Sequence, residues 1–292
     1  MSDTEFFDTE KNKVVGGTLY LVTTPIGNMS DITYRAVKVL SEVDFVAAED
    51  TRNSARLLRF FSINKELVSY HEHNKKSAGE KILARLQGGE SCALVTDAGT
   101  PAVSDPGEDL VRLCADAGIP VTAAPGVSAA VTALTAVSGQ DTSRWVFEGF
   151  LPVGGSERAA RLAALQSEPR TAILYEAPHK LRRTLADLAE TLGGERRISL
   201  CRELTKLNEE VSRTTLADAV TYYADAEPRG EYVLILAGAV ERGVQNAPWA
   251  SLSVAEHVDM YIAEGLTKSD AIKKAAKDRG VPKNVVYNEY VR

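Results

Sequence analysis

Short apolar runs alternate with amphipathic stretches through the first half of the chain. The runs Thr18–Thr23, Val43–Ala48, Glu66–Tyr70, Ser91–Thr96 and Ile119–Ala123 read as strands. Between them, Ile32–Ser41, Ser54–Phe61, Ala78–Leu86 and Glu108–Ala117 place apolar residues at helical spacing. Strands alternating with helices predict a parallel or mixed α/β sheet. Composition shifts to Gly and Pro at Leu151–Ser156, "LPVGGS", which marks a junction. A second α/β unit follows, with strands at Thr171–Tyr175, Arg197–Cys201, Glu209–Thr214 and Glu231–Leu236. Its helices are Glu157–Gln166, His179–Leu192 and Leu216–Ala224. There are fewer crossover helices than parallel pairing needs, so antiparallel pairs are expected here.

After Gly238 the pattern becomes all-helical. Ser253-Val-Ala-Glu256 is a capping box, Thr267 caps a second helix, and Pro282 opens a third. Gly265 and Gly280 punctuate them, as in a small helix-turn-helix module. In the middle helix Ala271, Ile272, Ala275 and Ala276 face inward, opposite Lys273, Lys274 and Lys277. The organisation expected is a disordered tail over 1–16, an α/β domain over 17–140, a second over 141–240, a linker over 241–251 and a helical module over 252–292.

Composition is that of an ordinary globular chain, 44% hydrophobic and 25% charged, long enough for about two domains. No apolar run is long enough to span a membrane, and the N-terminus lacks a basic-then-apolar leader. Cys92, Cys114 and Cys201 are scattered and odd in number; they fit reduced core thiols of a cytoplasmic protein rather than a disulfide frame or a zinc site. The net charge of −6 argues against a general nucleic-acid binder. Local patches remain open, because Gly265–Val285 holds six basic and two acidic residues.

Three loops follow strands of the first half: "TPIGN" (Thr24–Asn28), "DAGTP" (Asp97–Pro101) and "APGVSA" (Ala124–Ala129). Ligands of open α/β sheets bind at the carboxyl ends of strands. Three Gly/Pro loops at one sheet edge predict a backbone cradle for a small polar ligand. Asp105 reads as a helix N-cap, with Pro106 at the first position and Glu108 at the third. "DAGTP" is therefore spare chain with no structural need for its length. The dinucleotide and P-loop fingerprints are absent, and the three loops carry no Lys or Arg, so they are not built for phosphates.

"AEDTR" (Ala48–Arg52) brings Glu49, Asp50 and Arg52 to another strand end, where Asp50 or Thr51 also serves as a cap. "YHEHN" places His71 and His73 on one side if extended; no third ligand is suitably spaced, so no metal is expected. "YEAPHKLRR" gathers His179, Lys180, Arg182 and Arg183 at a helix start, and "RGEYVLIL" is a strand entered through a glycine.

Together, "TPIGN", "AEDTR", "YHEHN", "DAGTPAVSDPG", "APGVSA", "YEAPH" and "RGEYVL" resemble the tetrapyrrole methylase superfamily. Within it the chain is similar to the small-subunit ribosomal RNA methyltransferases, from about Gly17 to the C-terminal helices. The resemblance implies two α/β domains with a cofactor cleft between them, plus the helical module. It implies S-adenosylmethionine as methyl donor and a cytidine ribose 2′-oxygen of 16S rRNA, on the 30S subunit, as acceptor. It also implies a homodimer. Carried over, Pro25, Asp97, Gly99, Thr100, Ser104, Pro125, Gly126 and Ser128 line the cofactor site, and Tyr175, Leu204, Gly230 and Glu231 close it. Glu49, Asp50 and His71 are then candidate bases, with Arg52 and His73 as orienting groups. Lys180, Arg182, Arg183, Lys273, Lys274 and Lys277 are candidate phosphate contacts. Two other readings share this fold: C-methylation of a small tetrapyrrole, and a non-catalytic ribosome-assembly factor.

Overall fold

The five apolar runs of the first half pair side by side as one parallel sheet. In the computed structural model, which describes residues 13–136, 140–239, 249, 251–279 and 281–291, these strands are β1 Leu19–Val22, β2 Phe45–Ala48, β3 Glu66–Ser69, β4 Cys92–Val95 and β5 Val121–Ala124. Their spatial order is β3-β2-β4-β1-β5, with Leu19 opposite Cys92 and Val121, and Phe45 opposite Cys92 and Glu66. Alternation along each strand feeds two cores. Tyr20, Val22, Val46, Ala93 and Val95 pack with helices α1 (Tyr34–Glu42) and α2 (Thr51–Phe60) on one face. Leu19, Phe45, Ala47, Cys92 and Leu94 pack with α3 (Lys75–Gln87) and α4 (Gly107–Asp116) on the other. Central strands buried on both faces must be apolar throughout, which is why β2 and β4 read as unbroken runs.

Side-chain caps set the helix starts. Thr33 Oγ1 accepts from Ala36 N at 3.1 Å, and Asp50 Oδ1 from Arg52 N at 2.8 Å. Asp105 does the capping expected of it, accepting from Gly107 N at 2.7 Å and Ala102 N at 2.9 Å, although regular helix begins only at Gly107. The last residues of the expected N-terminal tail are held in place. Val15 N donates to Tyr20 Oη at 2.8 Å, and Val14 packs on the core beside α1. Residues 1–12 of that tail lie outside the described residues.

The second sheet runs β6-β7-β10-β8-β9, with β6 Trp145–Phe150, β7 Thr171–Glu176, β8 Arg197–Arg202, β9 Glu210–Thr215 and β10 Tyr232–Leu236. Only β6 and β7 are parallel; the other pairs are antiparallel, as the shortage of crossover helices predicts. Helices α6 (Gly155–Ser167), α7 (Pro178–Leu192) and α8 (Leu216–Asp225) cover one face through Leu162, Leu165, Leu181, Leu185, Leu188 and Leu216.

The opposite face is covered by α5 (Ala129–Ala136), which follows β5 of the first sheet. Its Ala130, Ala133 and Leu134 pack on Ile173, Val233 and Ile235, together with Ile26 from the first loop and Leu204. Tyr175 Oη accepts from Ala130 N at 3.2 Å at this junction. Neither α5 nor β6 is apparent from periodicity. The α5 sequence, AAVTALTA, has no charged face, and β6 carries a register shift between Phe147 and Gly149 that breaks strict alternation.

The helical module comprises α9 (Val254–Ala263), α10 (Lys268–Asp278) and α11 (Lys283–Tyr290). The Ser253–Glu256 capping box and the Thr267 cap form as expected. Ala271, Ile272, Ala275 and Ala276 are buried with Val258, Tyr261 and Val286, leaving Lys273, Lys274 and Lys277 exposed. Gly280 and all of the expected linker except Trp249 and Ser251 lie outside the described residues.

His257, fully buried, stacks on Trp249 with ring centroids 4.4 Å apart. Its Nδ1 accepts from Arg279 Nε at 3.0 Å. Burial holds its pKa below the ordinary value; Arg279 and Lys274 push the same way, and Asp278 opposes them. A depressed folded-state pKa means the unfolded chain binds the proton first as pH falls. The module is therefore fully stable above roughly pH 6.5, the unfolded value, and weakens as pH falls below it. Amide protection factors across 254–278, taken relative to the intrinsic exchange rate at each pH, are expected to fall as pH drops below roughly 6.5, and His257→Phe to remove that fall.

Candidate functional site

The three loops after β1, β4 and β5 are stitched to one another by their own backbones. Thr24 N donates to the Gly99 carbonyl at 2.9 Å, and Gly99 N to the Thr24 carbonyl at 3.0 Å, forming an isolated antiparallel bridge. Thr100 Oγ1 donates to the Val127 carbonyl at 3.4 Å. Gly99 sits at φ +85°, where a side chain is strained. At Gly126 the requirement is space: a Cβ there would stand 2.8 Å from Thr23 Cγ2. The spare length of "DAGTP" is thus spent on bridging one neighbouring loop and touching the other.

A cavity of about 400 Å³ lies between this loop cluster and the second sheet. From the first sheet's side Ile26, Glu49, Thr96, Gly99, Thr100, Ser104 and Ser128 line it; from the second side Phe150, Tyr175, Glu176, Cys201, Leu204, Lys206 and Glu231 do. Seven of the twelve predicted cofactor residues therefore meet here: Gly99, Thr100, Ser104, Ser128, Tyr175, Leu204 and Glu231. Pro25 and Asp97 line a small adjoining hollow that shares Thr96, while Pro125 and Gly126 line another with Thr205. Gly230 directly precedes Glu231, outside the lining.

Backbone strain concentrates on these walls. Ser104 (φ +62°), Glu203 (φ +51°) and Thr205 (φ +66°) are all left-handed without being glycine. Each such residue costs about 1–3 kcal/mol and persists only where its surroundings over-determine it.

The electrostatics of the cavity are lopsided. Its lining carries the carboxylates of Glu49, Asp105, Glu176, Glu203 and Glu231 against the single ammonium of Lys206. Thr96 Oγ1 donates to Glu49 Oε2 at 2.9 Å. Glu176 is buried and accepts from Ala177 N at 2.9 Å and Thr184 Oγ1 at 2.5 Å. Behind it, Arg158 donates to Thr184 Oγ1, Asp187 and the Pro152 carbonyl. Lys206 Nζ bridges Glu203 Oε1 at 2.8 Å and Glu231 Oε2 at 3.0 Å. Burial works against its charge, but the two carboxylates prevail and raise its pKa. The Lys206 hydrogen bond in turn lowers that of Glu203. Burial pushes the Cys201 thiol up to about 11, so it is not a nucleophile here. Such a site suits a ligand bearing positive charge and hydroxyls, and rejects phosphate.

Among the candidate bases only Glu49 reaches the cavity. Asp50 is engaged by Arg52, whose Nε and terminal nitrogen donate at 3.1 and 2.7 Å; these hydrogen bonds hold its carboxyl at about 2. His71 and His73 follow β3, the outer strand next to β2, with ring centroids 6.0 Å apart and outside the lining. His71 Nδ1 is buried without a hydrogen-bond partner.

Of the predicted phosphate contacts, Arg182 is spent on structure, donating to the Tyr223 carbonyl at 2.7 Å and the Ala226 carbonyl at 3.1 Å. Arg183 is exposed and lies 3.7 Å from Asp187. Lys180 is half-buried. Lys274 Nζ stands 4.1 Å over the Tyr261 ring.

Glu176, Glu203 and Lys206 are absent from the sequence-derived site. Glu176 stands beside Tyr175 inside a motif already singled out. Glu203 and Lys206 sit in the β8–β9 loop, ELTKLNE, from which only Leu204 is singled out by sequence. Among the described residues, no cluster of three His, Cys, Asp or Glu side chains is arranged to hold a metal ion, and no helix is long and apolar enough to cross a membrane.

Comparison with known proteins agrees with this geometry. The family model for tetrapyrrole (corrin/porphyrin) methylases matches residues 18–220. The chain is 48% identical over 275 residues to ribosomal RNA small subunit methyltransferase I of Halalkalibacterium halodurans, covering 94% of each chain. It is 46% identical over 276 residues to the protein of that name from Bacillus subtilis, again covering 94% of each. Solved structures share the fold at low identity. Uroporphyrin-III-C-methyltransferase from Thermus thermophilus superposes with a TM-score of 0.55 at 21% identity, over 75% of this chain and 94% of that one. A cobalt precorrin-4 methyltransferase gives 0.58 at 17%, over the same shares.

Proposed function

Since the chain belongs to the tetrapyrrole methylase family, and within it to the ribosomal RNA small subunit methyltransferase I proteins, we propose that it methylates the ribose 2′-oxygen of a cytidine in the decoding region of 16S rRNA, using S-adenosylmethionine. The observation that carries the cofactor reading is the cavity lining: carboxylates outnumber the one lysine beside a phosphate-averse backbone cradle. That combination fits a ligand with a sulfonium, an ammonium and ribose hydroxyls. When bound, S-adenosylmethionine supplies a methyl group already activated by its sulfonium.

The remaining work falls to the chain's own residues. The Thr24–Gly99 bridge and Thr100 fix the cradle, while Tyr175, Leu204 and Ile26 provide apolar walls that exclude water. A ribose hydroxyl is a poor nucleophile, and a carboxylate at the cavity wall helps by accepting its proton. Glu49 has the position for that role, oriented by Thr96. Arg183, Lys180 and the module lysines contact phosphates, which position RNA without specifying its sequence. A homodimer acting on the assembled 30S subunit in the cytoplasm belongs to the same proposal, carried by the resemblance.

The deciding experiment is nucleoside mass spectrometry of 16S rRNA from cells with and without the gene. Loss of 2′-O-methylcytidine, restored by the purified protein acting on 30S subunits, is the expected result. An unchanged nucleoside profile would refute the proposal. A second expectation concerns the module. Reversing Lys273, Lys274 and Lys277 to glutamate spares the buried face of α10 and leaves S-adenosylmethionine binding intact. It raises the KM for 30S subunits and flattens the salt dependence of methylation, because fewer counterions are released. Normal methylation across a salt series would make the module purely structural.

A further inference from the structure

The hollow lined by Pro125 and Gly126 adjoins the main cavity. Consecutive residues divide the two: Val127 faces the hollow and Ser128 the cavity, Thr205 the hollow and Leu204 the cavity. Two polar anomalies converge in it. Asp31 Oδ2 is buried without a hydrogen-bond partner, and so is Thr205 Oγ1. Arg35, four residues beyond Asp31, spends its guanidinium on the Ala123 carbonyl instead.

Thr205 is also a β-branched residue at φ +66°, a conformation such residues adopt only under constraint. The constraint is visible: its N–H donates to Glu209 Oε2 at 2.5 Å. Buried polar atoms are normally paired, and strained backbone gathers at functional positions. Here a strained residue and a residue with an unpaired carboxylate oxygen, from opposite sides of the cleft, line the same hollow. Pro125 and Val127 add apolar surface beside them.

An ionised carboxylate only accepts hydrogen bonds, whereas a hydroxyl both donates and accepts. A ligand matched to both side chains brings an N–H donor to Asp31 and a ring atom that accepts from Thr205. We infer that this hollow reads the base edge of the target nucleotide, Asp31 accepting from the 4-amino group of cytosine while Thr205 Oγ1 donates to its N3. The inference rests on the function proposed above, with the ribose in the main cavity and its unstacked base in the adjoining hollow. Carboxylates accept from cytosine N4 in just this way. Uracil would set its O4 acceptor against the same carboxylate. Asp31 and Thr205 are thus specificity residues for the base, separate from the methyl-transfer machinery.

The test measures kcat/KM on 30S subunits reconstituted with cytidine or uridine at the target position. The wild-type protein is expected to prefer cytidine roughly ten- to hundredfold. Asp31→Asn replaces an acceptor with an amide that can donate to O4, and should erase or invert the preference. Asp31→Ala should bring the cytidine rate down to the uridine level. Both should bind S-adenosylmethionine normally by calorimetry, which a merely structural defect would not allow. Thr205→Val keeps the β-branched shape and should slow both substrates. A wild-type cytidine preference retained in both Asp31 variants would overturn the inference, as would a wild-type enzyme that methylates both subunits equally. Should the Asp31 variants fail to fold, unchanged kcat/KM in Thr205→Val on both substrates would overturn it equally. If the wild-type protein binds S-adenosylmethionine but methylates neither substrate, the function proposed above fails, and this inference falls with it.

Discussion

Gly99→Val is expected to lower S-adenosylmethionine affinity roughly a hundredfold while leaving the protein folded. The residue sits at φ +85°, and its nearest neighbour for a new side chain is Ile26 Cγ2, 3.4 Å from a Cβ. The left-handed conformation costs an L-residue about 1–2 kcal/mol, and a β-branched one more. The loop relieves that cost by rotating out, which breaks both Thr24–Gly99 hydrogen bonds. Losing two backbone bonds of about 1–1.5 kcal/mol each from the cradle corresponds to that hundredfold loss. The cores on both faces of the first sheet do not include this loop, so melting should shift by only a few degrees. Calorimetry on the folded variant decides the matter. Unchanged affinity would mean that the loop cluster is not the cofactor cradle.

Glu49→Gln is expected to lower kcat for methyl transfer about a hundredfold, with cofactor affinity unchanged. Among the three candidate bases it is the one lining the cavity, and Thr96 Oγ1 holds its carboxylate in place. Asp50→Asn should have a smaller effect, because hydrogen bonds from Arg52 hold the Asp50 carboxyl at about 2 and leave it little basicity. His71→Ala should likewise matter less, its ring lying outside the lining. Single-turnover rates with saturating S-adenosylmethionine separate the chemical step from binding. A Glu49→Gln protein with full rate, beside a disabled Asp50→Asn or His71→Ala, would transfer the role to that residue.

The elements that could be read from the chain were those whose pattern is local. Amphipathic helices such as α1 and α2, and the doubly buried strands β2 and β4, announce themselves by period or by unbroken apolarity. Caps at Thr33, Asp50, Ser253 and Thr267 depend on a few neighbouring residues and are legible for the same reason. The loop motifs were legible as chemistry: Gly and Pro at strand ends, without cations, point to a backbone-built site, and their order along the chain points to the family. Gly99, Thr100, Ser104 and Ser128 line the cavity.

Tertiary structure decided what sequence distance hides. Helix α5 has no polar face because it packs on a sheet built from residues about forty to a hundred positions later, so no local window contains its reason for folding. The loop after β8 supplies Glu203 and Lys206 to one wall and Thr205 to another, since the hairpin folds back toward the first loop cluster. Arg182 reads as a free cation in sequence, but the C-terminal end of α8 claims its guanidinium through two carbonyls. Residue types and local spacing determined which elements form and which loops carry chemistry. Long-range packing determined which of those side chains share a cavity, which are neutralised on the way, and which buried polar atoms are left without a partner. Those outcomes depend on contacts between segments far apart in the chain, and no local pattern encodes them.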